Sequence, residues 1–231
     1  MIKLSLLIII ILFTGLFLSC ECVTDINTPK VVEPTEFADV LLVNAIPDID
    51  SVNLLSSDRL IANSLKYDDL TFNYIKIASG INSFRLTNSF DSSVVFNSMV
   101  ILEKDTNYSA FAYGTQSRIN LLLLKDGINP AQSNISYVRF IHLSPDADSV
   151  VFSFDNFSFN LKLAYKSYSP FIPISPGVFN LRVKSTFTGA ELLESDSLNL
   201  EAGYKYTVLL KGYYNPPHKN KLGYNIIKIP L

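Results

Sequence analysis

Tryptophan is absent from the sequence, and histidine, cysteine and methionine occur only twice each. Both cysteines, Cys20 and Cys22, lie near the N-terminus, so the rest of the chain has no thiol for a disulfide or a thiolate metal site. Basic residues number 19 against 21 acidic ones, and no run of lysine or arginine occurs. A nucleic-acid partner usually requires a basic face, so the composition argues against one. Without disulfides the fold has to be stable through its own apolar core.

Recognisable catalytic motifs are also missing. The sequence has no Gly-x-Ser-x-Gly elbow, no His-Glu-x-x-His zinc motif and no glycine-rich phosphate loop. We expect His142 to be a structural residue within a strand and His218 to lie in a hairpin loop. A hydrolase with paired carboxylates stays open by pattern, because Asp and Glu are common in any sequence. We predict a non-catalytic protein without a cofactor or a metal.

The N-terminal residues have the pattern of an export signal. Lys3 supplies a positive charge, and the apolar stretch 4–18 is shorter than the roughly 20 residues that span a bilayer as a helix. The stretch closes with Ser19-Cys20, which resembles the lipobox of bacterial lipoproteins, where the signal is cut before a cysteine that is then lipidated. The resemblance implies a signal peptide at 1–19 and lipidation of Cys20. An uncleaved anchor, or an ordinary signal with a coincidental cysteine, is the alternative.

Residues 20–37 predict a flexible tether, because they contain prolines and show no period of 2 or 3.6. A protein anchored in this way would lie in the cell envelope, as an outer-membrane lipoprotein that is periplasmic or surface-exposed. Its expected partners are the membrane, through the lipid, and envelope proteins or glycans.

Beyond the tether, short runs of alternating apolar and polar residues predict β-strands with one buried face. They recur roughly every 10–13 residues with Asn, Asp, Gly or Pro between them, which is typical of an all-β sandwich or barrel. The candidate strands, which are rich in β-branched and aromatic residues and of which several alternate, are 40–43, 71–77, 83–87, 108–113 and 204–210.

An internal duplication with a period of about 98 residues explains the order of these runs. Three stretches return in the same order: "LVNAIPDIDSV" (42–52) as "FIHLSPDADSV" (140–150), "IASGINSFRL" (77–86) as "ISPGVFNLRV" (174–183), and "LEKDTNYSAFAYG" (102–114) as "LEAGYKYTVLLKG" (200–212). We predict an all-β chain of two tandem antiparallel β-sandwich domains, immunoglobulin-like or transthyretin-like, each able to fold alone. Their expected limits are 38–127 and 137–231, with a linker at 128–136.

In the second half, "VRFIHLSPDADSV" matches a strand that ends in His-x-Ser-Pro-Asp, and "LEAGYKYTVLL" matches a strand start of the form Ala-Gly-x-x-Tyr-Thr. Between them, "ISPGVFNLRV" provides a Pro-Gly turn in place of Pro-x-Gly. These motifs resemble the family catalogued as domain of unknown function 4397. The first half departs from the pattern at Asn44 and Ile46. The resemblance covers about 38–231 and implies tandem exported β-sandwich modules, frequently on envelope lipoproteins, with no established activity.

The duplicated Pro-Asp-x-Asp motif places carboxylates in two equivalent loops: Asp48, Asp50, Asp146 and Asp148. Asp48 and Asp146 are expected to stabilise turns by accepting hydrogen bonds from amides two residues on. The alternative is a calcium site, which needs six to eight oxygen ligands. In the second half, Asp155 or Asn156 would have to complete that shell. We favour the turn interpretation.

For function, the sequence predicts an interaction or structural module with an unknown ligand. A carbohydrate-binding module is the alternative, because loops at one end of a sandwich commonly carry binding residues. The candidate surface is a set of aromatic residues: Tyr165, Tyr168, Phe171, Tyr213 and Tyr214. The absence of tryptophan, the side chain best suited to stacking on a sugar ring, argues against glycan binding.

The lipobox resemblance gives the first prediction. Cys20→Ala should abolish lipidation and leave an unprocessed precursor, because the acyl group is attached through the thiol of that cysteine. Incorporation of labelled fatty acid measures the effect, with Cys22→Ala as the control that should still be labelled. Labelling of the Cys20→Ala protein would show that the lipobox assignment is wrong.

Overall fold

The computed structural model describes residues 35–71, 73–127, 134–155, 157–215 and 219–231. These residues form sixteen β-strands and no α-helix. The strands are β1 Phe37–Ala45, β2 Ser51–Ser56, β3 Arg59–Lys66, β4 Ile75–Ala78, β5 Gly80–Asn88, β6 Val94–Leu102, β7 Asn107–Thr115, β8 Arg118–Lys125, β9 Ser136–His142, β10 Val150–Phe154, β11 Phe157–Leu163, β12 Ile172–Ile174, β13 Gly177–Ser185, β14 Glu191–Leu200, β15 Tyr204–Lys211 and β16 Gly223–Pro230. A helix long and apolar enough to cross a membrane is not found in the described ranges.

The strands form four four-stranded sheets, two in each half of the chain. In the first half, outer sheet 1 has the order β3-β2-β5-β6 and inner sheet 1 the order β4-β1-β7-β8. In the second half, outer sheet 2 has the order β11-β10-β13-β14 and inner sheet 2 the order β12-β9-β15-β16. Adding eight to each strand number of the first half reproduces the second, as a duplication of about 98 residues predicts. The all-β tandem sandwich is therefore confirmed.

Hydrogen bonds repeat at the same offset. The amide of Leu42 donates to Thr71 Oγ1 at 3.1 Å, and 98 residues later the amide of Phe140 donates to Ser169 Oγ at 3.0 Å. Thr71 belongs to a connection and not to the predicted strand 71–77, since only β4 from Ile75 onward forms a ladder. The connection bonds to the edge of β1 through this side chain and through the Thr71 amide.

Each inner sheet contains one parallel pair, where the sequence predicted antiparallel sheets throughout. β1 runs parallel to β7, and β9 runs parallel to β15. The reason is the path of the chain. After β1 it passes through β2 and β3 of the outer sheet, the short β4 of the inner sheet, and β5 and β6 of the outer sheet. It then enters β7 beside the start of β1.

The predicted domain limits are close to the strand bounds but remain a prediction. β1 begins at Phe37, the last residue of the predicted tether, and β9 begins at Ser136, the last residue of the predicted linker. The signal peptide, Cys20, Cys22 and the tether up to residue 34 lie outside the described residues, as do linker residues 128–133.

Three apolar cores separate the four sheets. The first core lies between the sheets of the first half and includes Leu42, Phe84 and Leu86, and the second lies between the sheets of the second half around Phe140 and Phe152. The third core joins the two halves, because it takes residues from both inner sheets: Leu41, Val43, Ala45, Phe111, Tyr113, Leu124, Ile141, Leu143, Leu209, Ile227 and Ile229. The layers therefore follow the order outer 1, inner 1, inner 2, outer 2.

Burial on both faces explains the apolar runs of the inner strands. β2 alternates buried and half-buried positions, as a strand with one covered face should. β9, by contrast, is buried at every position, and so is β15 after its first residue. Continuous apolar sequence is what such doubly covered strands require. A half expressed alone would expose its side of the third core, which argues against the expectation that each half folds independently.

A buried ion pair lies at one edge of the third core. Arg139 Nη2 donates to Asp126 Oδ1 at 2.8 Å, and both side chains are nearly inaccessible, at 3% and 0%. The other carboxylate oxygen, Asp126 Oδ2, accepts from Tyr74 Oη and Ser109 Oγ, each at 2.7 Å. Arg139 also donates to Thr207 Oγ1. Burial and the neighbouring carboxylate both raise the pKa of Tyr74, so its phenol stays protonated and remains a donor.

The contact between the two inner sheets is called the seam below. Further polar contacts between the halves lie at its opposite edge. Tyr213 Oη donates to Asp48 Oδ2 at 2.7 Å, and the buried Lys211 ammonium pairs with Asp68 at 2.8 Å. The amide side chain of Asn220 donates to the Pro47 carbonyl. Polar contacts at both edges and apolar packing between them hold the halves in one orientation.

The ion pair gives the second prediction. Asp126→Ala should destabilise the protein by about 3–5 kcal/mol, because it leaves the Arg139 charge buried without its partner. Glu103→Ala is the matched control, since the exposed pair of Glu103 with Lys125 should contribute no more than about 1 kcal/mol. Urea unfolding measures both. Equal losses in the two variants would contradict the assigned role of Asp126.

Candidate functional site

The Pro-Asp-x-Asp loops connect the inner to the outer sheet in each half. Asp48 Oδ2 accepts a hydrogen bond from the Gln116 amide at 2.8 Å. In the second half Asp146 accepts from the amides of Tyr214 and Asn215, at 2.7 and 2.9 Å. The partner of Asp48 and the first partner of Asp146 both lie 68 residues further along the chain. The carboxylates therefore hold the connection between the last two strands of the inner sheet, where the sequence predicted amides two residues on.

The second aspartate of each motif is also engaged by protein groups. Asp50 pairs with Lys219 at 2.9 Å on the surface, and the backbone carbonyl of Asp148 lies 2.9 Å from His142 Nε2. Asp155 pairs with Arg182, and Asn156 lies outside the described residues. Within the described ranges, no three His, Cys, Asp or Glu side chains are grouped so that they could hold a metal ion. A turn-stabilising role for the four aspartates stays our prediction.

His142 is completely buried at the end of β9. Because a carbonyl oxygen can only accept, the contact with Asp148 makes Nε2 the protonated nitrogen. The ring also packs edge-on against Tyr165. Burial lowers the pKa of His142, although the backbone carbonyls of its own loop oppose the shift. His142 therefore fastens the motif loop as a neutral imidazole. The second histidine, His218, lies outside the described residues.

Asn44 takes the place of His142 in the first half and also bonds backbone groups, although different ones. Its side-chain nitrogen donates to the Leu65 carbonyl, and its oxygen accepts from the Ile46 amide, both at 3.1 Å. An amide satisfies these groups without titrating, which makes it a natural control for the histidine.

The aromatic residues predicted as one binding surface do not form one. Tyr213 is buried, at 8% exposure. Tyr165 and Phe171 are half-buried, the first edge-on against Tyr113 and the second beneath the Arg139 guanidinium at 4.5 Å. Only Tyr168 and Tyr214 of that set are exposed.

Two other aromatic residues project from the molecule. Phe90, in the turn between β5 and β6, is 96% exposed, and Phe187, in the turn between β13 and β14, is 86% exposed. The turns are built alike. The amide of Phe90 donates to Asn88 Oδ1, and the amide of Phe187 donates to Ser185 Oγ.

Both turns lie at one end of the molecule, which we call the hairpin end. Each is bonded to a motif loop, through Ser89 to Ser51 in the first half and through the equivalent contact in the second. The two motif ends meet across the seam, where Tyr213 contacts Asp48. The described chain begins and ends at the opposite end. With sheets about 10 Å apart, the two outer sheets place Phe90 and Phe187 about 30 Å from each other.

Sequence reasoning missed these two residues. A single phenylalanine in a polar turn has no pattern of its own, since isolated surface apolar residues are normal. The only available signal is the duplication. The offset of 97 residues that places Gly80 on Gly177 also places Phe90 on Phe187.

A cleft of about 660 Å³ lies beside β3 and β4, where the first sandwich is open at its side. Its lining is mainly apolar, and its acidic members are Asp68 and Asp69. Asp68 is already paired with Lys211 across the seam. The cleft therefore offers no histidine or lysine beside a nucleophile among its lining residues.

The buried imidazole gives the third prediction. Because the folded pKa of His142 is lowered, the unfolded state takes up more protons as the pH falls below about 6.5. The contribution of His142 to the free energy of unfolding is fully present above that pH. It should be lost by up to about 1.4 kcal/mol per pH unit below it. His142→Asn, which installs the residue of the first half, should reduce this dependence in unfolding curves between pH 8 and 5. Equal pH dependence in both proteins would show that His142 does not carry the effect.

No protein of curated function matches the chain. Among solved structures, a carbohydrate-binding module (family CBM26) of Amy13K from Eubacterium rectale, in complex with maltoheptaose, is 9% identical, covers 84% of this chain and 98% of its own, and has a TM-score of 0.25. The tip fimbrial protein Mfa3 from Porphyromonas gingivalis is 11% identical, with coverage of 83% and 98% and a TM-score of 0.25. Similarities at this level carry no inference about function.

A sequence family also matches the chain directly. The sequence model of one family matches residues 38–153 and again 136–227, so that nearly all described strands fall within a match. The two matches reproduce the duplication seen in the sheets. The chain belongs to the family described as Domain of unknown function (DUF4397).

Proposed function

We propose that the chain is a non-catalytic, lipid-anchored module of the cell envelope that contacts a protein partner through its hairpin end. The observation that supports this is the pair of exposed phenylalanines, Phe90 and Phe187, on equivalent turns of the two halves. An exposed phenyl ring gains about 1.5–3 kcal/mol when a partner buries it. Two such rings on one end of the molecule supply a binding surface that neither half has alone.

The fixed arrangement of the two halves favours binding through Phe90 and Phe187. The third core and the buried Asp126–Arg139 pair fix the halves relative to each other, so both rings are presented together. Side chain to backbone bonds in each turn, such as Asn88 to Phe90, already order the loops. Binding then costs less conformational entropy, and engagement of one ring raises the effective concentration of the other.

Several titratable groups of the described residues support a non-catalytic role, because the fold occupies them. His142 is bound to its motif loop, Arg139 is paired with Asp126, and the motif carboxylates bind loop amides. A general base or nucleophile has to reach a substrate. These groups are instead buried or held by structural partners.

Anchoring at Cys20 is proposed from the resemblance of Ser19-Cys20 to a lipobox. On this basis we propose an outer-membrane lipoprotein, periplasmic or surface-exposed, that is attached to the membrane through its tether.

Carbohydrate binding is the second candidate, and the exposure of both phenyl rings favours it. A ring that is more than four-fifths exposed can stack on the apolar face of a sugar. The turns that carry the rings are rich in serine and threonine, which can donate to sugar hydroxyls.

The fourth prediction tests the hairpin end. Phe90→Ser and Phe187→Ser should each weaken capture of a partner from solubilised envelope by about 10- to 100-fold, and the double variant should abolish it. Neither change should alter stability, because both side chains are exposed. Val178→Ser together with Tyr168→Ser is the control, since it removes exposed apolar groups elsewhere.

Capture that survives the double variant would overturn the proposal. The same proteins are applied to a glycan array. Glycan binding that depends on Phe90 and Phe187 would replace the protein partner with the carbohydrate alternative.

A further inference from the structure

Strand β6 is an unprotected edge. It is the last strand of outer sheet 1, and within the described residues it has a ladder only with β5. Its sequence, "VVFNSMVIL", contains neither a charged residue nor a proline. Edge strands expose unpaired N–H and C=O groups, and proteins usually shield them with charges, prolines or bulges.

The equivalent strand of the second half, β14, has such protection. Its sequence, "ELLESDSLNL", carries Glu191, Glu194 and Asp196. Its ladder with β13 is interrupted by two register shifts, whereas the β5–β6 ladder has a single shift near one end and is regular from Asn97 to Leu102. Bulges twist an edge and hinder its pairing. The equivalent edge strand of the outer sheet is therefore protected against pairing in the second half and unprotected in the first.

An apolar ridge accompanies the open edge. On the outer face of the sheet, Ile81 lies directly opposite Ile101 in the β5–β6 register, and Met99 is the next outward residue of β6. Their exposures are 70%, 69% and 64%. In the second half, the partner of Val178 on β14 is the polar Asn199.

We propose that β6 pairs in antiparallel orientation with β6 of a second copy of this chain, which joins the two outer sheets into one of eight strands. A two-fold axis brings the same strand from both copies together. Because β6 has no charge, this self-pairing meets no like-charge repulsion, whereas β14 would place acidic side chains near one another.

The apolar ridge favours a second copy of this chain as the pairing partner of β6. Antiparallel pairing brings Met99 and Ile101 of each copy beside those of the other, so that apolar residues continue across the new contact. β6 lies on a lateral edge, and its residues Met99 and Ile101 are in the part of the strand far from the Phe90 turn. The dimer therefore leaves the hairpin end of each copy free, and it does not depend on the function proposed above.

Sedimentation velocity over a wide range of concentration tests the dimer. The protein starts at residue 23, which removes both cysteines and keeps the whole compact unit that contains all described residues. We expect a monomer–dimer equilibrium. Met99→Lys with Ile101→Lys should weaken it by about a hundredfold or more, because two charges per copy would meet at the contact. Val178→Lys is the matched control on the second half and should leave the dimer unchanged.

Single cysteines distinguish edge pairing from other dimers. Met99→Cys, on the outer face in the middle of β6, should form an intermolecular disulfide on oxidation. Ile81→Cys should not, because edge pairing keeps the two copies of β5 three strand spacings apart, about 14 Å, beyond the reach of a disulfide.

Crosslinking through Ile81→Cys would instead indicate face-to-face packing and overturn the proposal. A protein that stays monomeric at every concentration would also overturn the proposed dimer. The β6 edge would then be available only to a strand of a different protein. Thermal melts of the lysine variants should match the parent monomer, since both positions are exposed.

Discussion

The packing of inner sheet 1 against inner sheet 2 is the constraint on which the rest of the structure depends. It buries the central strands on both faces, which is why β9 and β15 are apolar almost without interruption. It also sets both halves in the same direction, so that the motif loops and the phenylalanine turns of both halves lie at one end. Two sandwiches on a free linker would have neither property. The surfaces left for binding are the hairpin end, the outer faces and the sheet edges.

The buried ion pair makes this packing specific. With the offset of 98 residues, Arg139 stands where the first half has Leu41, which is itself buried in the third core. An apolar pair of faces could slide or exchange partners at little cost. A buried guanidinium is costly unless it meets its carboxylate, so Arg139 and Asp126 penalise every other register between the halves. Tyr74, Ser109, Thr207 and the Lys125 carbonyl bond the remaining donors and acceptors, which is the condition for burying such a pair.

Local patterns predicted the strands and the duplication but not the way the halves meet. Alternation identified strands such as 83–87, because one buried face imposes a period of two. The runs 40–43 and 108–113 were predicted as strands, yet an apolar run does not say what covers its second face. The parallel pair and the partners of Asp48 and Asp146 were missed for the same reason, since they depend on residues far away in sequence. Phe90 and Phe187 became visible only through their equivalent positions in the two halves.

The two Pro-Asp motifs differ in what they contact. In the second half, Ser144 donates to the Gly212 carbonyl at 2.6 Å, and the hydrogen bonds described for Asp146 are with groups of its own half. In the first half, the counterpart of Ser144 is Ile46, which is fully buried in the first core. The neighbouring Asp48 binds Gln116 of its own half and Tyr213 of the other. One carboxylate thus serves both the turn and the junction between the halves. The halves are also not interchangeable at the buried ion pair, because the first half supplies Asp126 and the second supplies Arg139. A tandem of two second halves would bury the guanidinium without this carboxylate, which is the costly arrangement.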